Sequence, residues 1–438
     1  MVNRRSFVKK SIAGAIGASL PLSISASSIN NGVEKNDLKI KDFRRLGRTG
    51  FKVSDISIGA GGLTNANVLE QALNMGVNYI DTAEHYVSGR SEKTIGEVLK
   101  SRERKSVFLT TKLNLLFGGG DSKEELRERF FKCLERLQTD YVDCFMIHMT
   151  SELKQVKHEA FHDLADELKA EGKIRFTGLS NHGTNFNIAG QIQDPMEKVI
   201  CAAVDDGRFD VALFVYNFLQ KEQGERIIKA CKEKNVGVTL MKADPVNMGI
   251  DIQKSVEKMK DSGSEPSESY MKRVNDFQAF VKGAEEFKNK YGLKSEIEVR
   301  EAAIKFVLTN KDVHCVCPTI NSFENLDTFV SLSGTNLTPR GIALLDDYNS
   351  TLGNYYCRHA CGICESSCPS KVPVNTIMRY NHYFEAFGRE KHAMTKYAAL
   401  KSTNSLNCTD CSGFCETECP HKLPVKSLLM LAHQNLSV

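Results

Sequence analysis

Four side chains spaced through the first half of the chain carry complementary proton chemistry: Asp81, Tyr86, Lys112 and His148. A phenol is a poor acid near neutrality, with an ordinary pKa of about 10. An ammonium roughly 4 Å away, in an effective dielectric of about 20, favours the phenolate by approximately 4 kcal/mol, which lowers that value by some three units. In this reading Lys112 supplies the charge and Asp81 keeps Lys112 protonated and oriented. A neutral His148 then hydrogen-bonds the reacting oxygen. Taken singly, a histidine at a strand end is commonly a satisfied polar residue and an aspartate there is commonly a helix cap. It is the joint spacing that points to chemistry. A second set lies near the C-terminus, where Cys357, Cys361, Cys364 and Cys368 precede Pro369, and Cys408, Cys411, Cys415 and Cys419 precede Pro420. A disulfide framework in a chain this large does not need such clustering, so metal is the first expectation.

These residues must be positioned by regular elements. From about Asp42 to Phe329 short β-branched or apolar runs alternate with longer helical patterns, the sign of βα units around a parallel sheet. Strands are expected at Asp55–Ile58, Val77–Asp81, Val107–Lys112, Tyr141–His148, Arg175–Leu179, Ala212–Asn217, Val236–Lys242 and His314–Pro318. Eight strands over roughly 250 residues suggest an α/β fold of the (β/α)8 TIM barrel class. A doubly wound sheet is the alternative, but the first βα turn has no dinucleotide-binding glycine fingerprint. In the barrel, Asp81, Lys112 and His148 end strands two, three and four, and Tyr86 lies in the loop after strand two, so all four ring one mouth. The strand rhythm stops between Ala243 and about Ser295, an insertion after strand seven that reads equally as a lid or as a surface helical excursion.

At this point the sequence resembles the aldo-keto reductase family. The resemblance rests on Asp81-Thr82-Ala83-Glu84-His85-Tyr86 continuing through Gly89, Ser91, Glu92 and Gly96, on Thr111-Lys112, and on Asp140-Tyr141-Val142-Asp143 leading to His148. Leu46-Gly47-Arg48-Thr49-Gly50 is similar to that family's hairpin over the barrel floor. The resemblance implies reduction of a carbonyl by hydride from a nicotinamide cofactor, with Tyr86 as the proton donor. It also implies that Ser180 and Asn181 grip the nicotinamide carboxamide, and that Lys242, Pro318, Asn321 and Asn325 hold the adenosine phosphates. Two positions depart from the family: Leu213 stands where it commonly has a glutamine on strand six, and Asn321 where a basic residue often reads the ribose phosphate. The choice between NADP(H) and NAD(H) therefore stays open.

A shift of 51 residues superposes Cys357 on Cys408, Cys364 on Cys415, Cys368 on Cys419, Lys371 on Lys422, Pro373 on Pro424 and Val374 on Val425. This is an internal duplication, and it resembles the bacterial ferredoxin module with two 4Fe-4S clusters. The spacings differ by one residue from the usual run, leaving a widened loop or a single degenerate cluster as alternatives. Zinc more often uses two-cysteine knuckles set well apart. The ferredoxin resemblance implies crosswise ligation, with Cys357, Cys361 and Cys364 joined by Cys419, and Cys408, Cys411 and Cys415 joined by Cys368. The segment from Val374 to Ser405 is helix-like, so this unit is expected to be small and mainly helical. Cys133, Cys144, Cys201, Cys231, Cys315 and Cys317 have no ligand spacing and read as small buried apolar residues.

Composition limits what else the chain does. Its 438 residues, 41% hydrophobic and 26% charged, suit two or three folded domains. The formal net charge of +4 comes entirely from Arg4, Arg5, Lys9 and Lys10, since 54 basic and 54 acidic residues remain without them. That balance argues against nucleic acid or an anionic membrane surface as partners, and no apolar run of about 18 residues exists to span a bilayer. Arg4, Arg5 and Phe7 lead into a weakly apolar stretch from Ile12 to Ile24, which resembles a twin-arginine export signal over residues 1–28. Paired Arg44 and Arg45 have no such run behind them and read as a solvated strand.

The expected organisation is a signal, a barrel over 40–345 with an insertion at 243–295, and an iron-sulfur unit over 353–438. The expected function is a periplasmic oxidoreductase acting on a carbonyl or the matching alcohol, such as that of a sugar, coupled to or accompanied by the clusters. Its partners would be that small molecule, the twin-arginine export machinery and a redox protein. The alternative is an electron-transfer or binding subunit whose barrel does not turn over.

Overall fold

The computed structural model describes residues 38–115, 121–182, 194–246, 265, 268–359, 361–387 and 390–437. The export segment expected at residues 1–28 lies outside them. Among the described residues a short antiparallel hairpin, β1 (Phe43–Arg45) and β2 (Lys52–Ser54), precedes eight parallel strands ordered consecutively in one sheet. These are β3 (Ile58–Gly59), β4 (Tyr79–Asp81), β5 (Phe108–Asn114), β6 (Val142–His148), β7 (Ile174–Asn181), β8 (Val211–Val215), β9 (Gly237–Met241) and β10 (Cys315–Val316). Bridges between Ile56 and Val316 and between Gly59 and Thr319 join the first strand to the last, so the sheet closes into a barrel. Each of the eight expected windows overlaps a strand. The first and last shrink to two residues because their pairing is carried by those isolated bridges.

Strands buried on both faces explain the unbroken apolar runs: every residue of β5 and β6 is buried. The hairpin turn seals the floor. Gly47 has φ +46°, and a Cβ there would come within 2.4 Å of the Gly237 nitrogen, so only glycine allows the turn to sit against the base of β9.

Arg44 corrects the solvated-strand reading, which holds for Arg45 alone. The Arg44 guanidinium is buried and donates to the carbonyls of Leu308 (2.7 Å), Val313 (2.6 Å) and Asn310 (3.2 Å), closing the C-terminal end of the helix Ile297–Thr309. Pairing in sequence gave no hint of this, because the acceptors come from more than 260 residues away.

Within the insertion after β9, residues 247–264 and 266–267 lie outside the described ones. The remainder is a long helix, Glu268–Tyr291, whose Phe280, Ala284 and Phe287 enter an apolar core. That core also takes in Val299, Leu344 and Tyr348 from the barrel helices and Leu429 and Ala432 from the last helix, Val425–Leu436. The C-terminal segment is mainly helical, as expected, and it shares a core with the barrel. It docks on the turn after β8: Arg358 donates to the Leu219 carbonyl (3.2 Å), the His359 amide donates to Gln220 Oε1 (2.8 Å), and Gln220 donates back to the His359 carbonyl. No described helix is long and apolar enough to cross a membrane.

Replacing Arg44 with Met keeps the stem and removes the fork. Charged hydrogen bonds contribute about 1.5–3 kcal/mol each before relaxation, so a net loss of about 3 kcal/mol in unfolding free energy is expected. Urea titration checks this, and a loss below about 1 kcal/mol contradicts it.

Candidate active site

The four proton-chemistry residues converge at the C-terminal mouth of the barrel. Lys112, on β5, has a fully buried side chain, and its Nζ donates to Asp81 Oδ2 (2.6 Å) and to the Thr82 carbonyl (2.6 Å). The loop after β4 continues against β5, with the Thr82 amide donating to Thr110 O (2.9 Å) and the Glu84 amide to Lys112 O (3.1 Å). This carries Tyr86 back over the lysine, whose Nζ lies 5.2 Å from the phenol ring centroid. The two residues that follow, Val87 and Ser88, have φ of 51° and 55°. A β-branched residue in that left-handed region is strained, and such strain gathers at functional loops.

His148 ends β6 beneath the same phenol, with ring centroids 5.6 Å apart and nearly perpendicular. Burial pushes the His148 imidazole well below its ordinary value, and the Lys112 charge lowers it further. It is therefore neutral at physiological pH, and neither ring nitrogen has a hydrogen-bond partner among the described residues. An orphaned neutral imidazole beside a phenol can hydrogen-bond an incoming oxygen. Burial raises the Asp81 carboxyl, while the Lys112 ammonium pulls it back down.

Other residues give this site its support, and sequence reasoning gave them no role. Glu92 is buried, accepting from Thr111 Oγ1 (2.6 Å) and Arg136 Nε (2.6 Å), which fixes the strand beside Lys112. His182 brings its ring to 5.3 Å from that of His148. Its place directly after Asn181 was the available signal.

The residues expected to hold a nucleotide divide. Ser180 and Asn181 are buried at the end of β7, and Ser180 Oγ accepts from the Met149 amide (3.0 Å). Leu213 pairs with Ser180 across the sheet and is buried. Lys242 is half-buried with Nζ donating to the His182 carbonyl (3.1 Å). The Pro318 carbonyl accepts from the Gly59 amide (2.8 Å). Asn321 lies exposed beside Gly62, where an added Cβ would sit 3.6 Å from its Nδ2, so its face is open to a ligand. Asn325 is engaged in the cap of the helix Phe323–Ser331, accepting from Ser322 Oγ (2.9 Å).

The cysteine groups meet crosswise. Cys357, Cys361 and Cys364 line one cavity together with Cys419. In the other set, Cys368 and Cys411 both push up the Cys408 and Cys415 thiols, after burial, to about 12 and about 11. The duplication is structural as well. Lys371 and Lys422 share φ of 51°, and each amide donates to the cysteine carbonyl three residues back at 3.1 Å. Glu365 Oε1 accepts from the Asn375 amide (2.7 Å) just as Glu416 Oε1 does from the Lys426 amide (2.8 Å). Among the described residues no three His, Cys, Asp or Glu side chains gather tightly enough to hold a single metal ion. Of the six remaining cysteines, Cys133, Cys144, Cys231, Cys315 and Cys317 are buried as expected, while Cys201 is partly exposed.

Removing one partner of the buried pair leaves the other charge uncompensated. Lys112→Met is expected to cost about 3–5 kcal/mol of stability, and adding Asp81→Asn is expected to recover part of that loss. Denaturant titration of both variants checks it. Equal stabilities for the single and double variants contradict it.

The sequence pattern of the aldo/keto reductase family matches residues 63–350. An uncharacterized oxidoreductase of Bacillus subtilis is 34% identical over 152 residues, covering 32% of this chain and 48% of its own length. The L-galactose dehydrogenase of Arabidopsis thaliana is 31% identical over 225 residues, covering 48% of this chain and 66% of its own. The chain thus spans about half to two thirds of these relatives. An aldo-keto reductase structure from Bacillus halodurans superposes with a TM-score of 0.51 at 22% identity, over 70% of this chain and 95% of its own, a likeness of fold. With the match spanning well over half of its residues, the chain belongs to the aldo/keto reductase family.

Proposed function

We propose that this protein is an oxidoreductase that reduces a small-molecule carbonyl, or oxidises the matching alcohol, with NADP(H) or NAD(H). The observation that carries the reading is the buried Lys112–Asp81 pair beneath Tyr86, with neutral His148 alongside. A sugar or sugar-derived substrate is the favoured class, supported by similarity to a relative named for L-galactose.

A bound nicotinamide supplies the hydride. The chain's own groups manage the oxygen. His148 hydrogen-bonds the carbonyl oxygen and orients it, and Tyr86 Oη hands its proton to that oxygen as negative charge develops. The Lys112 ammonium stabilises the phenolate left behind, and Asp81 keeps that ammonium charged in a dry site. Asn181 and Ser180 would hold the carboxamide, while Lys242, Pro318, Asn321 and Asn325 would line the path of the phosphates. Leu213 removes one amide from the grip, which favours a weaker hold on the nicotinamide ring.

The reading extends to the C-terminal unit. Eight thiols in two sets of four, joined crosswise and duplicated down to their hydrogen bonds, fit two 4Fe-4S clusters by their donor chemistry. Such clusters move one electron at a time, so the unit serves a redox partner protein or accompanies the barrel without passing the hydride. Paired Arg4 and Arg5 ahead of an apolar stretch support export in folded form to the periplasm.

Nucleotide-linked turnover with an aldose panel is expected to fall at least 10²-fold in Tyr86→Phe with nucleotide affinity retained. An active variant sinks the assigned proton donor. Because the His148 pKa lies below its ordinary 6.5, protonation cannot remove it above that value. Carbonyl reduction is therefore expected not to slow as pH falls from 7.5 to 6.5, and a declining acid limb there contradicts a neutral His148. Anaerobic purification followed by iron and acid-labile sulfide analysis is expected to give about eight of each per chain. Cys419→Ser is expected to remove half, and loss of none contradicts crosswise ligation.

A further inference from the structure

The C-terminal helices gather buried donors around one cavity of their own. Arg379, on the helix Val374–Phe387, is 2% exposed, and His359 is 2% exposed. Arg379 Nη1 donates to His359 Nε2 at 2.8 Å. That nitrogen is therefore the acceptor, which leaves the ring hydrogen on Nδ1, and Nδ1 is buried with no partner among the described residues. Arg379 Nε and the Tyr356 hydroxyl are also buried without partners among the described residues. All three residues line one cavity together with Asn381 and His382, and among the described residues no carboxylate lines it. The acids nearby are committed elsewhere, Asp244 to Arg300 (2.7 Å) and Glu365 to the Asn375 amide (2.7 Å). Cys357 also borders the cavity, but its sulfur accepts from Asn375 Nδ2 (3.2 Å) and faces the other cysteines.

A buried guanidinium fork with no carboxylate, flanked by an imidazole N–H and a phenol O–H, is the donor set that recognises a carboxylate or a phosphate. Its position is informative too. The Arg379 charge acts on both Lys242 and His182, and His182 adjoins His148. We propose that this cavity is an anion-binding site, built on Arg379, which takes the carboxylate or phosphate group of the substrate whose carbonyl meets Tyr86. The substrate assignment rests on the catalytic reading above, whereas anion binding in the cavity does not.

Isothermal titration of the full chain, purified anaerobically, with inorganic phosphate and with acetate tests it. One equivalent of probe is expected to bind, at least tenfold more weakly in Arg379→Gln, with iron content unchanged. Absence of binding in the native protein, or equal affinity in the variant, overturns the proposal. Saturating NADP is expected to leave probe binding in place. Displacement by NADP assigns the site to the nucleotide phosphates and overturns the substrate assignment. Should Arg379→Gln lose its iron, Arg379→Lys decides: it keeps the charge and loses the fork, so at least threefold weaker binding is expected and equal affinity refutes the site. Tyr86→Phe is expected to bind the probe like the native protein, which separates a failure of this site from a failure of the catalytic reading.

Discussion

A lysine ammonium with no exposed surface must be met by a full counter-charge, and at the mouth of this barrel Asp81 meets Lys112 at 2.6 Å. Much of the surrounding architecture follows from keeping that pair dry and fixed. The two residues sit on adjacent strands whose register is set by the ladder, and the Thr82 carbonyl takes a second ammonium hydrogen. Glu92, tied to Thr111 and Arg136, holds the neighbouring strand position from behind. Burial depresses the neighbouring imidazole and the Lys112 charge adds to that, while the same ammonium lies 5.2 Å from the phenol ring centroid. One ion pair thus lies beside both a phenol ring and a neutral imidazole at the barrel mouth.

The C-terminal unit adds a second constraint. It shares an apolar core with the barrel helices and is hydrogen-bonded to the turn after β8, on the mouth face. Charges from that unit reach the site, since Lys396 acts on His85 and Arg379 on His182. The duplicated cysteine segments occupy the same unit.

The parts legible in the sequence were those set by local spacing. Asp81, Lys112 and His148 could be aligned because each closes an apolar run, and strand ends in a parallel barrel share one face. The two cysteine segments were legible as a repeat, and the common φ at Lys371 and Lys422 shows that the repeat extends to the backbone. What escaped depends on contacts between distant segments. Arg44 looks like any hairpin arginine until the helix end it caps is brought to it. Arg379 and His359 lie 20 residues apart in a segment notable only for its cysteines. Asn325 shows the converse: a residue expected to face the nucleotide also serves the cap of its own helix.

The central claim is that the Asp81 carboxylate acts through Lys112 on the phenol. It is tested most directly by the single-turnover rate of hydride transfer in Asp81→Asn, measured at pH 7 with nucleotide pre-bound. A rate at least a hundredfold below the native one, with nucleotide affinity within threefold, is expected if the ion pair sustains the proton donor. A rate within threefold of the native protein would show that Tyr86 gives up its proton without that pair.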